Sequence, residues 1–239
     1  MKTLKIISAF SIALFLGACN MNFNMGENGN GKIVTQEREI SQDFTEVRGS
    51  AGLEVYLTQG NENKIVVEAD ENLHQYIETD IENGKLHITT SDNIGRSIAK
   101  KVYVTFKELN VIEASSGAEV TANSVIKSQN IALQSSSGAE LNVEVFTQEL
   151  SAKASSGSNL NVTGKASSLN AQASSGSELQ AKELLVINCT AQASSGAEVN
   201  VHVQDKLETQ VSSGGEINYY GNPLSVNSNK SQSGNVNKM

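Results

Sequence analysis

One short phrase, Ser-Ser-Gly-x followed by an acid or amide and an apolar residue, is written six times between Ala114 and Ile217. Its glycines are Gly117, Gly138, Gly157, Gly176, Gly196 and Gly214, separated by 21, 19, 19, 20 and 18 residues. That spacing is too short for a domain and right for one turn of a repeat that must stack on its neighbours to bury anything.

The apolar residues keep fixed offsets from the glycine. Three residues after it stand Val120, Leu141, Leu160, Leu179, Val199 and Ile217, and five after it Ala122, Val143, Val162, Ala181, Val201 and Tyr219. Seven before it stand Ile131, Leu150, Leu169, Cys189 and Leu207, and small residues such as Ala152 with Ala154 fill the positions five and three before. Every step is two residues, the period of a strand with one buried and one wet face. Each copy is therefore expected to supply two short strands bent around a Ser-Ser-Gly corner, with a variable third segment such as Val143–Phe146 completing the coil. Glycine suits the corner because it takes positive φ without a Cβ clash.

Leucine-rich repeats have this length but need Leu-x-x-Leu-x-Leu with Asn, and calcium-binding nonapeptide repeats need Gly-Gly-x-Gly-x-Asp. Neither phrase occurs. The expected fold is all-β, a parallel β-helix or β-solenoid with coils of about 20 residues stacked in parallel. Aromatic content is only 5%, with no Trp, so the many alanines imply a narrow interior filled by aliphatic ladders.

The N-terminus joins Lys2 and Lys5 to an apolar run from Ile6 to Leu16, too short to span a bilayer, and then Gly17-Ala18-Cys19. Residues 1–18 read as a lipoprotein signal peptide. Leu16-Gly17-Ala18-Cys19 resembles a bacterial lipobox, in which Cys19 is lipidated and becomes the mature N-terminus, anchored by several acyl chains. Cleavage removes two lysines and no acids, taking the formal charge from −8 to −10. A chain this acidic is not expected to bind nucleic acid. Cys189 is then left without a disulfide partner, and its place in the leucine column marks it as a small buried hydrophobe.

Residues 19–32, rich in Asn and Gly, read as a flexible tether, and 33–239 as a single solenoid domain. Within it, 33–112 is a strand-rich leading region that widens into or caps the solenoid, 113–219 holds the repeats, and 220–239 is a C-terminal cap. Gly49-Ser50-Ala51-Gly52-Leu53-Glu54-Val55 looks like a degenerate earlier copy of the phrase, and Ser231–Val236 echoes it once more. A helical turn or two is expected over Asp70–Ile77, and Asn83-Gly84 signals a hairpin.

The lipobox, the alternating strands, the repeated Ser-Ser-Gly-x-Glu phrase and the closing Gly221-Asn222-Pro223 together resemble the bacterial family called putative auto-transporter adhesin, head GIN domain. The resemblance runs from about Phe44 to Val236. It implies a β-helical fold in envelope lipoproteins with an adhesin-like role, and it brings no catalytic motif.

The regular polar feature is the column two residues after each glycine: Glu119, Glu140, Asn159, Glu178, Glu198 and Glu216. Stacked carboxylates repel, so either solvent and salt screen them or cations sit between them. Glu119, Glu140, Glu178, Glu198 and Glu216 are thus the candidate ligand or cation ladder, although calcium usually requires loops that wrap the ion. Serine pairs at the corners satisfy backbone groups and, beside the glutamates, offer a surface for polysaccharide. His74, His87 and His202 lie in separate segments, no serine sits in a Gly-x-Ser-x-Gly elbow, and no metal-ligand or phosphate-binding motif occurs. No cofactor is expected. The leading expectation is a lipid-anchored, non-catalytic binding or adhesion scaffold of the outer membrane, with a glycan or an envelope component as partner. A polysaccharide-acting enzyme using clustered carboxylates, or a structural or signalling accessory of the envelope, are the alternatives.

Overall fold

A computed structural model describes residues 26–231 and 233–239. The signal peptide and Cys19 lie outside the described residues. In chain order the strands are β1 (Ile33–Arg38), β2 (Glu46–Gly49), β3 (Glu54–Gln59), β4 (Lys64–Asp70), β5 (Ile77–Glu82), β6 (Lys85–Thr90), β7 (Lys100–Phe106), β8 (Val111–Ala114) and β9 (Glu119–Ala122). They continue as β10 (Ile126–Ser135), β11 (Glu140–Ala154), β12 (Asn159–Ala173), β13 (Glu178–Ala193), β14 (Glu198–Val211), β15 (Glu216–Tyr220), β16 (Ser225–Lys230) and β17 (Asn235–Lys238). The fold is all-β, a solenoid of about seven turns of roughly 19 residues.

The apolar columns read from the sequence stack in register. Leu141 faces Leu160, Leu160 faces Leu179, Leu179 faces Val199 and Val199 faces Ile217, all in parallel pairs and all fully buried. A second column runs Ile131, Leu150, Leu169, Cys189, Leu207. Desolvation at this site pushes the Cys189 thiol up to about 12, so it packs as a hydrophobe rather than a nucleophile.

The coil differs from the expected pair of short strands plus a third segment. From β11 to β14 each coil is one continuous strand of 14 to 16 residues, closed by a single corner turn. The ladder bends without breaking because the irregularities are absorbed as shifts of register, between Asn161 and Gly164 on β12 and, on β13, between Ala181 and Leu185 and again between Val186 and Asn188. The 20- and 18-residue spacings are accommodated there, leaving the corners aligned.

Every corner is built alike. The second serine and the glycine both take the left-handed conformation, as in Ser156 at φ 55° and Gly157 at φ 67°, and the residue after the glycine donates back to the first serine's carbonyl, Ser158 to Ser155 at 3.3 Å. This is a tight turn of the hairpin-prime type, used here to join two segments of one coil. Ala51 at φ 57° and Gly52 at φ 68° reproduce it, so the degenerate copy at Gly49–Val55 is a true corner.

That early coil is not at the end of the rod. β2 pairs in parallel with β8 on one side and β6 on the other, and β3 with β9 and β7. The coil formed by β6 and β7 is therefore outermost although it comes later in sequence. Three antiparallel strands then close this end: β4 on β7, β1 on β4, and β5 on β6 through the Asn83-Gly84 hairpin. Reversing direction there ends the parallel stack and blunts its edge. The helical expectation at Asp70–Ile77 reduces to one 3-10 turn, Glu71–Leu73.

The end of the expected tether, residues 26–32, is part of the folded domain. Gly26–Lys32 is docked on the cap: Glu27 N–H donates to the Asn93 carbonyl at 2.9 Å, Gly29 N–H to that of Arg96 at 2.7 Å, and Gly31 N–H to the buried Asp70 carboxylate at 2.6 Å. Asp70 also accepts from Ile98 N–H at 2.8 Å and Ala99 N–H at 3.1 Å. Polar composition over this stretch gave no hint of a partner, because the partners are backbone carbonyls and a carboxylate far along the chain, Asp70 lying 39 residues from Gly31. At the far end β16 and β17 add a thin last coil on β14 and β15, with Val226 and Met239 left exposed.

Candidate functional site

The corner ridge separates two outward faces, each carrying ladders of polar side chains at strand spacing. On the strand after the corner, all five predicted glutamates fall on one line. Glu119 pairs with Glu140, Glu140 with Asn159, Asn159 with Glu178, Glu178 with Glu198, and Glu198 with Glu216. The line continues beyond the repeats, through Glu54 to Lys101 at one end and to Asn235 at the other.

The carboxylates are managed in a way the sequence reading did not foresee. Two residues further along the strand runs a column of amides: Asn142, Asn161, Gln180, Asn200, Asn218 and Asn237. Asn142 Nδ2 donates to Glu140 Oε1 at 2.9 Å, and Gln180 Nε2 donates to Glu178 Oε1. Glu198 Oε1 accepts from both Asn200, at 2.8 Å, and Asn218 of the next coil, at 3.1 Å. Asn237 Nδ2 donates to Glu216 Oε1 at 2.8 Å and to Asn218 Oδ1 at 3.0 Å. Charge-assisted bonds of this kind give Glu140, Glu178, Glu198 and Glu216 a protein donor, whereas Glu119 has Thr121 in place of the amide. The signal was present as Glu-apolar-Asn or Glu-apolar-Gln in four of the copies. Toward the cap the amide column gives way to Thr121 and then to Tyr56 and Tyr103, whose rings stack at 5.3 Å. Burial, the hydrogen bond to Glu54 and the nearby Glu54 and Glu119 charges push the Tyr56 hydroxyl up to about 12, so it stays a donor, to Glu54 Oε2 at 3.0 Å.

On the strand before the corner, four residues ahead of the glycine, a second column was missed altogether. It runs His87, Arg48, Glu113, Gln134, Lys153, Gln172, Gln192, Gln210, Asn229. At the cap end it is ionic: Lys85 Nζ lies 3.1 Å from both Glu46 and Glu113, and Arg48 lies 3.9 Å from Glu113. Hydrogen bonding to Glu46 is the main reason the Lys85 ammonium is held above its usual range. From Gln134 to Gln210 the column is uncharged except for Lys153. There it forms one wall of a groove of about 430 Å³, whose other wall is the first serine of each corner, Ser136, Ser155, Ser174, Ser194 and Ser212. Buried alanines, Ala154, Ala173 and Ala193, form the floor.

Among the described residues no three His, Cys, Asp or Glu side chains are grouped so that they could hold a metal ion. His74 is buried in the cap with Nε2 2.9 Å from the Val34 carbonyl, far in sequence and register from His87 and His202.

Comparison with known proteins agrees with this architecture. A crystal structure from Bacteroides fragilis described as a putative adhesin is similar with a TM-score of 0.79 at 14% identity, covering 89% of this chain and 100% of the other. One from Parabacteroides merdae, also described as a putative adhesin, has a TM-score of 0.71 at 23% identity over 89% and 98% of the two chains. One from Parabacteroides distasonis described as a putative lipid binding protein has a TM-score of 0.71 at 20% identity over 89% and 99%. No curated protein sequence matches the chain. The sequence profile of one family covers residues 43–223, and on that match the chain belongs to the family described as putative auto-transporter adhesin, head GIN domain.

Proposed function

We propose that the protein is a lipid-anchored, non-catalytic binding scaffold of the outer membrane, and that its ligand is an extended, uncharged polysaccharide lying along the corner groove. The observation that carries this reading is the groove itself: five consecutive coils present a glutamine or lysine on one wall and a serine on the other, in unbroken register. Such a surface offers the same donor and acceptor set at every strand spacing, which matches a polymer of repeated hydroxyls better than a compact ligand. The groove is nearly neutral, whereas the glutamate face repels anionic chains. Adhesin-like family membership supports a cell-envelope binding role, and the lipobox at Cys19 supports the anchor.

The test is binding of the mature domain to immobilised neutral polysaccharides, compared with a Gln172→Ala/Gln192→Ala variant of equal thermal stability. The variant is expected to bind about tenfold more weakly, the loss of one to two net hydrogen bonds, with no release of reducing ends by either protein. Binding unchanged by the double substitution, or no binding to any glycan, overturns the groove as the site; release of reducing ends overturns the non-catalytic reading.

A further inference from the structure

The cap presents apolar side chains on its outer surface, and they are held there by design of the backbone. Ile98 is 66% exposed and Ile33 49% exposed, in a chain whose other large aliphatic residues mostly fill the solenoid. They belong to two segments brought together by one buried carboxylate: Asp70 accepts from Gly31 N–H and Ile98 N–H at once, and Ile33 pairs with Asp70 in the β1–β4 ladder. A Cβ on Gly31 would lie 3.7 Å from Ile98 Cδ1, so the two segments are in contact. Burying a carboxylate is costly unless its hydrogen bonds are met, and here three backbone donors meet them in order to fix the segments that carry Ile33 and Ile98.

Around these segments Lys32, Arg96 and Lys100 stand against Glu27, Asp70, Glu71 and Asp92, so the surface that carries the two isoleucines is close to neutral. Lys32 is engaged by Glu71 at 2.6 Å; Arg96 is exposed and enters no ion pair within 4 Å among the described residues. Two exposed isoleucines with an unpaired arginine two residues from one of them fit the headgroup boundary of a bilayer, where apolar side chains sink and a cation meets lipid phosphate.

Chain length selects the occupant. Six residues lie between Cys19 and Gly26, a span of roughly 25 Å at most when fully extended, and Gly26–Lys32 is docked on this same cap. An acylated Cys19 therefore keeps Gly26, and with it this cap, within that distance of the bilayer. We propose that Ile98 and Ile33 rest in the headgroup boundary of the membrane that holds the lipid anchor, so that the cap is a second, weak membrane contact that stands the solenoid upright and presents its groove. The proposal rests on lipidation of Cys19 and is independent of what the groove binds.

The experiment uses the lipidated protein isolated from membranes and reconstituted into phosphatidylethanolamine–phosphatidylglycerol vesicles. An environment-sensitive fluorophore is attached through Ile98→Cys, or through Phe146→Cys on the repeats as the control; the native thiol at Cys189 is buried and stays unlabelled. On reconstitution the probe at 98 is expected to shift to the blue and to lose about threefold or more of its quenching by iodide, as for a side chain sunk into the headgroup boundary. The probe at 146 should change in neither respect. If the protein floats with the vesicles but the probe at 98 is quenched as fully as that at 146, the docking proposal is wrong while the anchor stands. If the protein does not float with the vesicles, the anchor reading fails and the docking falls with it.

Discussion

The Gly176 amide donates to the Ser195 carbonyl oxygen of the next coil at 3.0 Å, joining one corner to the next in the same way from Gly52 and Ser116 to Gly196 and Ser213. The left-handed glycine thus does more than reverse the chain: it points its N–H along the solenoid axis, and the left-handed serine presents the matching carbonyl. The corner is a hydrogen-bonded ladder of its own, continuous with those of the strands.

Two kinds of glycine follow from this geometry, and substitution separates them. A Cβ at Gly176 meets nothing within 4 Å, so Gly176→Ala is penalised by its φ of 68° alone and should cost about 1–2 kcal/mol. At Gly164, where φ is 106°, a Cβ would lie 2.1 Å from the Val145 carbonyl oxygen of the preceding coil. Gly164→Ala should therefore cost more than about 3 kcal/mol or prevent folding, because the register shift of β12 must be rebuilt. Denaturant titration of the two variants checks the order; equal losses would show that the inter-coil contact at Gly164 carries no weight.

The repeats were legible because stacking forces the same side chain into the same environment at every coil, which writes the columns into the sequence. The glutamate line was legible for the same reason, whereas its amide neighbours passed unread because Asn and Gln look like ordinary surface residues until their register with Glu140, Glu178 and Glu198 is known. The Gln172–Gln192 column escaped because one member is lysine and another glutamate, so residue identity hides what position conserves. The cap was least legible: β2 and β3 slide between later strands, and the contact between Gly31 and Asp70 is made through a backbone amide that leaves no mark on composition.

Asp70 gives the cap an acid limit. Burial alone would raise its carboxyl, but the N–H groups of Ala99, Gly31 and Ile98 outweigh that and hold it below the usual range. A carboxyl depressed in the folded state adds stability above its unfolded value of about 3.9, and that stability is lost as pH falls through the folded value. Backbone amides of residues 29–31 and 98–99 should then lose hydrogen-exchange protection as pH drops below about 4, ahead of the repeats. Asp70→Ala, which orphans three donors, should cost about 2–4 kcal/mol at neutral pH and abolish the acid dependence. Acid-induced loss of protection in the Asp70→Ala protein at these amides would assign it to another group.

The amide column predicts how the glutamate face answers to charge. Asn200 is 4% exposed and its Nδ2 satisfies Glu198 at 2.8 Å, so Asn200→Asp replaces a donor with a second carboxylate at contact distance. Two such groups cannot both ionise cheaply, and the variant should lose about 2–3 kcal/mol at pH 7, with much of it regained near pH 4 where the pair shares a proton. Calcium distinguishes the two accounts of the ladder. In the native protein Glu140, Glu178, Glu198 and Glu216 already hold their donors, and millimolar calcium should leave the thermal midpoint within about 1 °C of its value without the ion, whereas the Asn200→Asp pair offers oxygen ligands alone and should be raised by several degrees. A native midpoint that rises with calcium as steeply as the variant's would establish Glu119, Glu140, Glu178, Glu198 and Glu216 as a cation ladder and demote the amides to bystanders.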